Sequence, residues 1–96
     1  MAALTLMSSG RHPLKPLVEA AIQNEIRLLQ AGIQRTEQRL LAFETKCGFS
    51  SPEFLRRYEH DELAETLDFA EWVGEYRLLE RLKEKTDTLR EIRFAH

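Results

Sequence analysis

The run Phe43-Glu44-Thr45-Lys46-Cys47-Gly48-Phe49-Ser50-Ser51-Pro52-Glu53-Phe54 constrains the fold of this chain more than any other, because it ends one long helix and begins another within a few residues. Gly48 suits the left-handed position that closes a helix, with Phe49 folding back toward Phe43 or Glu44. Two N-caps then compete. Ser50 with Glu53 forms a capping box, whereas Ser51 with Pro52 places proline at the first helical position. Either way a new helix starts here and the chain turns a corner.

On the upstream side, apolar residues recur at helical spacing from Pro16, itself a suitable first-turn residue: Ile22, Ile26, Leu29, Ile33, Leu40 and Phe43, with Thr36 as the polar interruption. Ile26, Ile33, Leu40 and Cys47 take the a positions of a heptad, and Ile22, Leu29, Thr36 and Phe43 the d positions, a pattern that a two-stranded coil accepts. Gly32 costs this helix roughly 1 kcal/mol relative to alanine, so packing must outweigh it or the helix bends. A helix from Pro16 to Lys46 spans on the order of 45 Å, too long for one small core to cover.

Downstream, a short helix from Pro52 to about His60 carries Phe54, Leu55 and Tyr58 on one side. A third helix starts near Thr66 or Asp68 and runs to about Arg93. Its stripe is Phe69, Trp72, Val73, Tyr76, Leu79, Leu82, Thr86, Leu89 and Ile92, and the three-residue steps from Tyr76 to Leu82 depart from a strict heptad. Two long helices around a compact corner predict an all-α fold: an antiparallel hairpin over residues 16–96, with residues 1–15, which lack sustained periodicity, as a flexible extension. Val18, Leu28, Leu41 and Leu78 lie off the main stripes, and a chain of 96 residues buries only about 60–65% of its unfolded surface. Self-association into a dimeric or higher helical bundle is therefore expected, through Ile22, Ile26, Leu29, Ile33 and Leu40.

A formal charge of −2 gives no overall pull toward nucleic acid. Arg27, Arg35, Arg39 and Lys46 on the first helix, and Arg77, Arg81, Lys83, Lys85, Arg90 and Arg93 on the third, alternate with glutamates at spacings that form ion pairs along a helix rather than a phosphate track. The lone Cys47 excludes an intramolecular disulfide and fits a reducing cytoplasm as a small packed residue, with an intermolecular bridge left open. No apolar run reaches the length that spans a bilayer, and the N-terminus lacks the layout of a signal peptide. A cytoplasmic protein without a membrane partner is expected.

Charge is concentrated in one place. Glu59, Asp61, Glu62, Glu65, Asp68, Glu71 and Glu75 follow one another without an intervening lysine or arginine, interleaved with Leu63, Leu67, Phe69 and Trp72. This composition fits a surface that docks on a basic partner. It also fits a solvated corner whose acids favour the start of the third helix through its dipole. His60, Asp61, Glu65 and Asp68 are near one another but follow no metal-ligand spacing, and His12, His60 and His96 are scattered. With isolated glycines and no nucleophile motif, the chain does not read as an enzyme, and no metal or cofactor is expected. Trp72 and Tyr76, one turn apart, read as core rather than as a ligand-stacking pair.

The string Leu41-Ala42-Phe43-Glu44-Thr45-Lys46-Cys47-Gly48-Phe49-Ser50-Ser51-Pro52-Glu53-Phe54, followed by Tyr58-Glu59 and by Leu67-Asp68-Phe69-Ala70-Glu71-Trp72, resembles a group of small prokaryotic helical proteins. Their shared pattern is approximately F-E-x-K-Y-G-M-S-S-x-E-F, an acidic corner, then D-x-x-E-W. Such proteins are commonly encoded beside a small predicted toxin and are taken as its antitoxin. The similarity covers about Pro16 to Leu82. Cys47 and Phe49 stand where tyrosine and methionine are usual, and Ala64-Glu65 where a glycine-containing turn is common. The resemblance implies an antidote without a separate DNA-binding domain, whose partner is a small basic toxin. The acidic corner, Glu59, Asp61, Glu62, Glu65 and Asp68, would occupy a basic, RNA-binding face of that toxin, with Trp72, Phe69 and Phe54 as apolar anchors. The competing class is a self-assembling, coiled-coil-like scaffold that needs no acidic patch and binds along its heptad seam. A third, a small transcriptional regulator, requires salt-sensitive DNA binding that the mixed-charge surface does not favour.

Overall fold

The computed structural model describes the backbone of residues 2–4 and 13–94 and the side chains of residues 13–92. Helix α1 (Leu14–Cys47) and helix α3 (Leu67–Arg90) run antiparallel, joined through the short helix α2 (Ser51–Glu59). Two three-residue strands, β1 (Ala2–Leu4) and β2 (Ile92–Phe94), pair in parallel with Ala2 opposite Ile92. Helix α1 begins after Pro13 in extended conformation, so Pro16 falls in its first turn, where a missing N–H costs nothing. It continues unbroken through Gly32 because a Leu82 methyl lies over that glycine, 3.4 Å from where a Cβ would sit.

The two long helices match in steps of seven. Gly32 lies beside Leu82, Arg39 reaches Glu75 at 3.4 Å, and Lys46 reaches Asp68 at 3.0 Å. On α3 the buried residues Trp72, Leu79 and Thr86 are also seven apart, so the heptad interrupted in the sequence by the three-residue steps is kept at the contact. The seam assigned to self-association is filled within one chain: Ile26, Leu29 and Leu40 are buried, Ile33 packs against the core and Ile22 is half-buried. Those residues form the hairpin's own packing face, which leaves little of Ile26 and Leu40 for an oligomer contact. Thr36, the polar interruption, is buried with its hydroxyl donating to the Gly32 carbonyl at 2.9 Å, and Thr86 does the same to Leu82.

Two boundaries differ from the sequence reading. Helix α3 stops at Arg90, and Ile92 enters β2 instead of continuing the helical stripe, because the chain there pairs with Ala2–Leu4. The expected N-terminal extension of residues 1–15 falls largely outside the described residues; its described parts are β1 and the start of α1.

The molecule is a rod of 60 × 21 × 17 Å with a radius of gyration of 19.0 Å, against about 12–13 Å for a compact domain of this length. Its enclosed core, Leu40, Phe54, Trp72 and Leu79, sits at the corner end. We call that end the hub and the two-helix remainder the stem.

Candidate functional site

The hub is built from the stop-and-start sequence. Gly48 takes φ 83°, its N–H donating to the Glu44 carbonyl at 2.8 Å, which closes α1 and directs Phe49 into the core. Ser50 is the N-cap of α2 and accepts from the Glu53 N–H. The second serine has a different task. Ser51 is buried, its N–H donates to the Glu44 carboxylate at 2.7 Å, and its hydroxyl accepts from the Trp72 indole N–H at 2.9 Å. The indole lies parallel to Phe54 at 3.8 Å between centroids, with Phe43 and Phe49 near-parallel to it at 5.5 and 5.8 Å.

Beyond α2 the chain reverses through a Schellman-type stop, with Asp61 left-handed at φ 55°, Glu62 N–H donating to Arg57 and Asp61 N–H to Tyr58. Asp61 therefore shapes the corner with its backbone, a role that aspartate accepts at lower cost than most residues. Thr66 caps α3 by accepting from the Phe69 N–H.

The acids of this corner are exposed except for the half-buried Glu75, and some lie beside cations of the same chain. Glu59 lies 3.8 Å from Arg77, Glu62 3.2 Å from Arg56, Asp68 3.0 Å from Lys46 and Glu75 3.4 Å from Arg39. Asp61, Glu65 and Glu71 are exposed and without an ion pair among the described residues. The hydrogen bond to Asp68, and then its charge, raise the Lys46 pKa, while hydrogen bonds from Arg56 and then Arg57 lower that of Glu53 to about 2. Solvent screens exposed pairs of this kind and they hold the acids only weakly, so the corner keeps its acidic character toward a partner that offers better-placed cations.

The proposed apolar anchors divide. Phe54 and Trp72 have no exposed surface, so they hold the hub together and cannot touch a partner in this conformation; this corrects their reading as contact residues. Phe69 is half-buried against Phe54 and Trp72. The apolar residue the corner does present is Leu67, 75% exposed and the first residue of α3. The signal for it was in the sequence: Leu67 lies on the far side of the wheel from Phe69, Trp72 and Tyr76.

Among the described residues no cluster of His, Cys, Asp and Glu could hold a metal ion, and no helix is long and apolar enough to cross a membrane. Comparison with protein-family models, curated proteins and solved structures finds no match to this chain.

Proposed function

We propose that this protein is a helical protein-binding module of the cytoplasm, the antitoxin of a toxin–antitoxin pair, whose acidic corner covers a basic surface of a small toxin. The observation that carries the reading is the pairing of exposed acids with Leu67 at the corner. Asp68, in the first turn of α3, suits that helix's dipole, but Glu59 is the last residue of α2, where the dipole disfavours negative charge, and Asp61, Glu65 and Glu71 make no ion pair among the described residues. Leu67, exposed at 75%, supplies an apolar centre with an acidic rim, an arrangement suited to a basic partner with a shallow apolar spot. The sequence resemblance gives that partner its class. The chain works by steric and electrostatic masking and carries out no chemistry of its own.

The test asks first whether a small basic protein is encoded beside this chain, then co-expresses the two and measures growth and complex formation; a neighbourhood without such a protein would count against the reading. Glu62→Lys with Glu65→Lys and Leu67→Ser should abolish protection while helicity persists. Asp61 is changed only to Asn, because a lysine at its positive φ would strain the turn. Full protection by the charge-reversed variant would refute the masking reading.

A second reading, self-assembly into a dimeric bundle, is favoured by a separate observation: Leu17 and Leu28 on α1 are each 60% exposed, away from the filled seam. The two readings are compatible, since the corner and these leucines occupy different surfaces.

A further inference from the structure

A shallow groove follows one side of the hairpin between α1 and α3, from Leu89 in the stem past Gly32 to Gly74 near the hub. A second apolar pattern, distinct from the filled heptad, runs into it. Leu17 and Leu28 are eleven residues apart on α1, as are Leu67, Leu78 and Leu89 on α3, and of these Leu28, Leu78 and Leu89 line the groove. Eleven residues make about three turns, so each set stays on one line, and Leu28 and Leu78 both border the groove. Leu28, 60% exposed, is among the most exposed large apolar side chains of the described residues.

Gly74 adds a second indication. It lies within α3 at the groove, a Cβ there would meet nothing within 4 Å, and its conformation is ordinary. Nothing inside the chain calls for glycine, which lowers helix stability relative to alanine. A glycine there does leave room for another backbone to approach.

Charge identifies the occupant. On the groove side of α1, Glu25 and Arg39 stand seven residues either side of Gly32. An identical α1 laid antiparallel and centred on Gly32 sets Glu25 of each copy against Arg39 of the other. Glu25 has no ion pair among the described residues, and the one Arg39 makes with Glu75 is long and exposed. Orientation follows from the hub: two copies aligned with their hubs together would bring the acidic corners side by side, whereas the antiparallel arrangement separates them to opposite ends of the rod.

We propose that this groove is the docking surface for a second copy of the chain, antiparallel and centred on Gly32, forming a four-helix dimer that leaves the acidic corners free at its two ends. The inference rests on the self-association reading above and is independent of the toxin reading.

Light scattering and sedimentation of the full chain test it. The wild type is expected to be a dimer at micromolar concentration. Leu28→Glu should weaken dimerisation by roughly tenfold or more, with helicity retained because Leu28 is already exposed. Leu41→Glu, equally exposed but away from the groove, should not. Glu25→Arg and Arg39→Glu should each weaken the dimer, and the double variant should restore it. A monomeric wild type would overturn both this inference and the self-association reading. A dimer insensitive to Leu28→Glu, or a double variant weaker than either single one, would overturn the groove or its antiparallel register while leaving self-association standing.

Discussion

The hub and the stem use the same helices with very different results. In the hub, α2 closes over the ends of α1 and α3, so Trp72 and Phe54 lose all exposure to solvent. In the stem, among the described residues, α1 and α3 meet each other short of the β1–β2 pair; each buries one line of side chains, and their remaining faces are exposed. Two helices cannot enclose a core, whereas a third element, even a nine-residue one, can. Full burial of each large aromatic removes about 150–250 Å² from water, on the order of 4–6 kcal/mol gross. Among the described residues the stem has nothing comparable. Its order depends on continuity with the hub, on the seven-residue matching of the helices and, if the groove is covered as we propose, on a second copy.

The largest effects should separate these regions. Phe54→Ala removes a side chain with no exposed surface from the hub and should cost about 3–5 kcal/mol. Leu29→Ala in the stem, where the site borders an open groove and can relax, should cost about 2 kcal/mol. Urea unfolding followed by circular dichroism measures both. Equal losses would mean that the stem is as firmly enclosed as the hub.

A sharper probe lies within the hub, at its two serines. Ser51→Ala leaves the Trp72 indole N–H buried without an acceptor and should cost about 1–3 kcal/mol. Ser50→Ala loses only an exposed cap, typically about 1 kcal/mol. If Ser50→Ala proved the costlier, the indole bond would be a minor contributor and aromatic packing alone would hold Trp72.

These serines also show how far the sequence could be read. The double serine, the glycine stop and Glu53 announced a helix end and a helix start because caps are local chemistry. Which serine caps and which faces the core depends on where Trp72 arrives, twenty-one residues later. The heptad on α1 was legible for the same local reason, but a heptad does not say whether its partner is another copy or the returning chain, and here α3 fills it. Trp72 looked like a contact anchor because acids surround it in sequence, and Phe54 joined it through the family resemblance; the helical wheel of α3, taken alone, turns Trp72 inward and Leu67 outward. The pairing of Ala2–Leu4 with Ile92–Phe94 had no local signal, since it joins segments at opposite ends of the chain.

The glycines give a smaller contrast. Gly48 in the hub holds φ 83°, so alanine there should cost about 1 kcal/mol or more. Gly32 in the stem is an ordinary helical residue whose Cβ would meet the flexible end of Leu82 at 3.4 Å. The helix-propensity gain of Gly32→Ala is then largely offset by crowding, and stability should stay within about 0.5 kcal/mol of wild type. Thermal melts of the two variants compare them; a strongly destabilised Gly32→Ala would show that the helices in the stem touch more rigidly than the Leu82 contact implies.

The smallest effect concerns the charges around α2. Hydrogen bonds from Arg56 and then Arg57 hold the Glu53 carboxyl at about 2, below its ordinary 4.5. A carboxyl lowered on folding contributes stability that is fully present above its unfolded value and is lost as pH falls through its folded one. The hub should therefore soften between pH 4.5 and about 2 as this cluster protonates. Glu53→Gln should lower the melting temperature slightly at neutral pH, and the gap should close as the wild type is acidified through that window. Glu53 is half-buried but Arg56, the first of its partners, is exposed, so added salt should shrink the difference as well. A gap unchanged by acid would assign the role of Glu53 to the geometry of the first turn of α2 rather than to its charge.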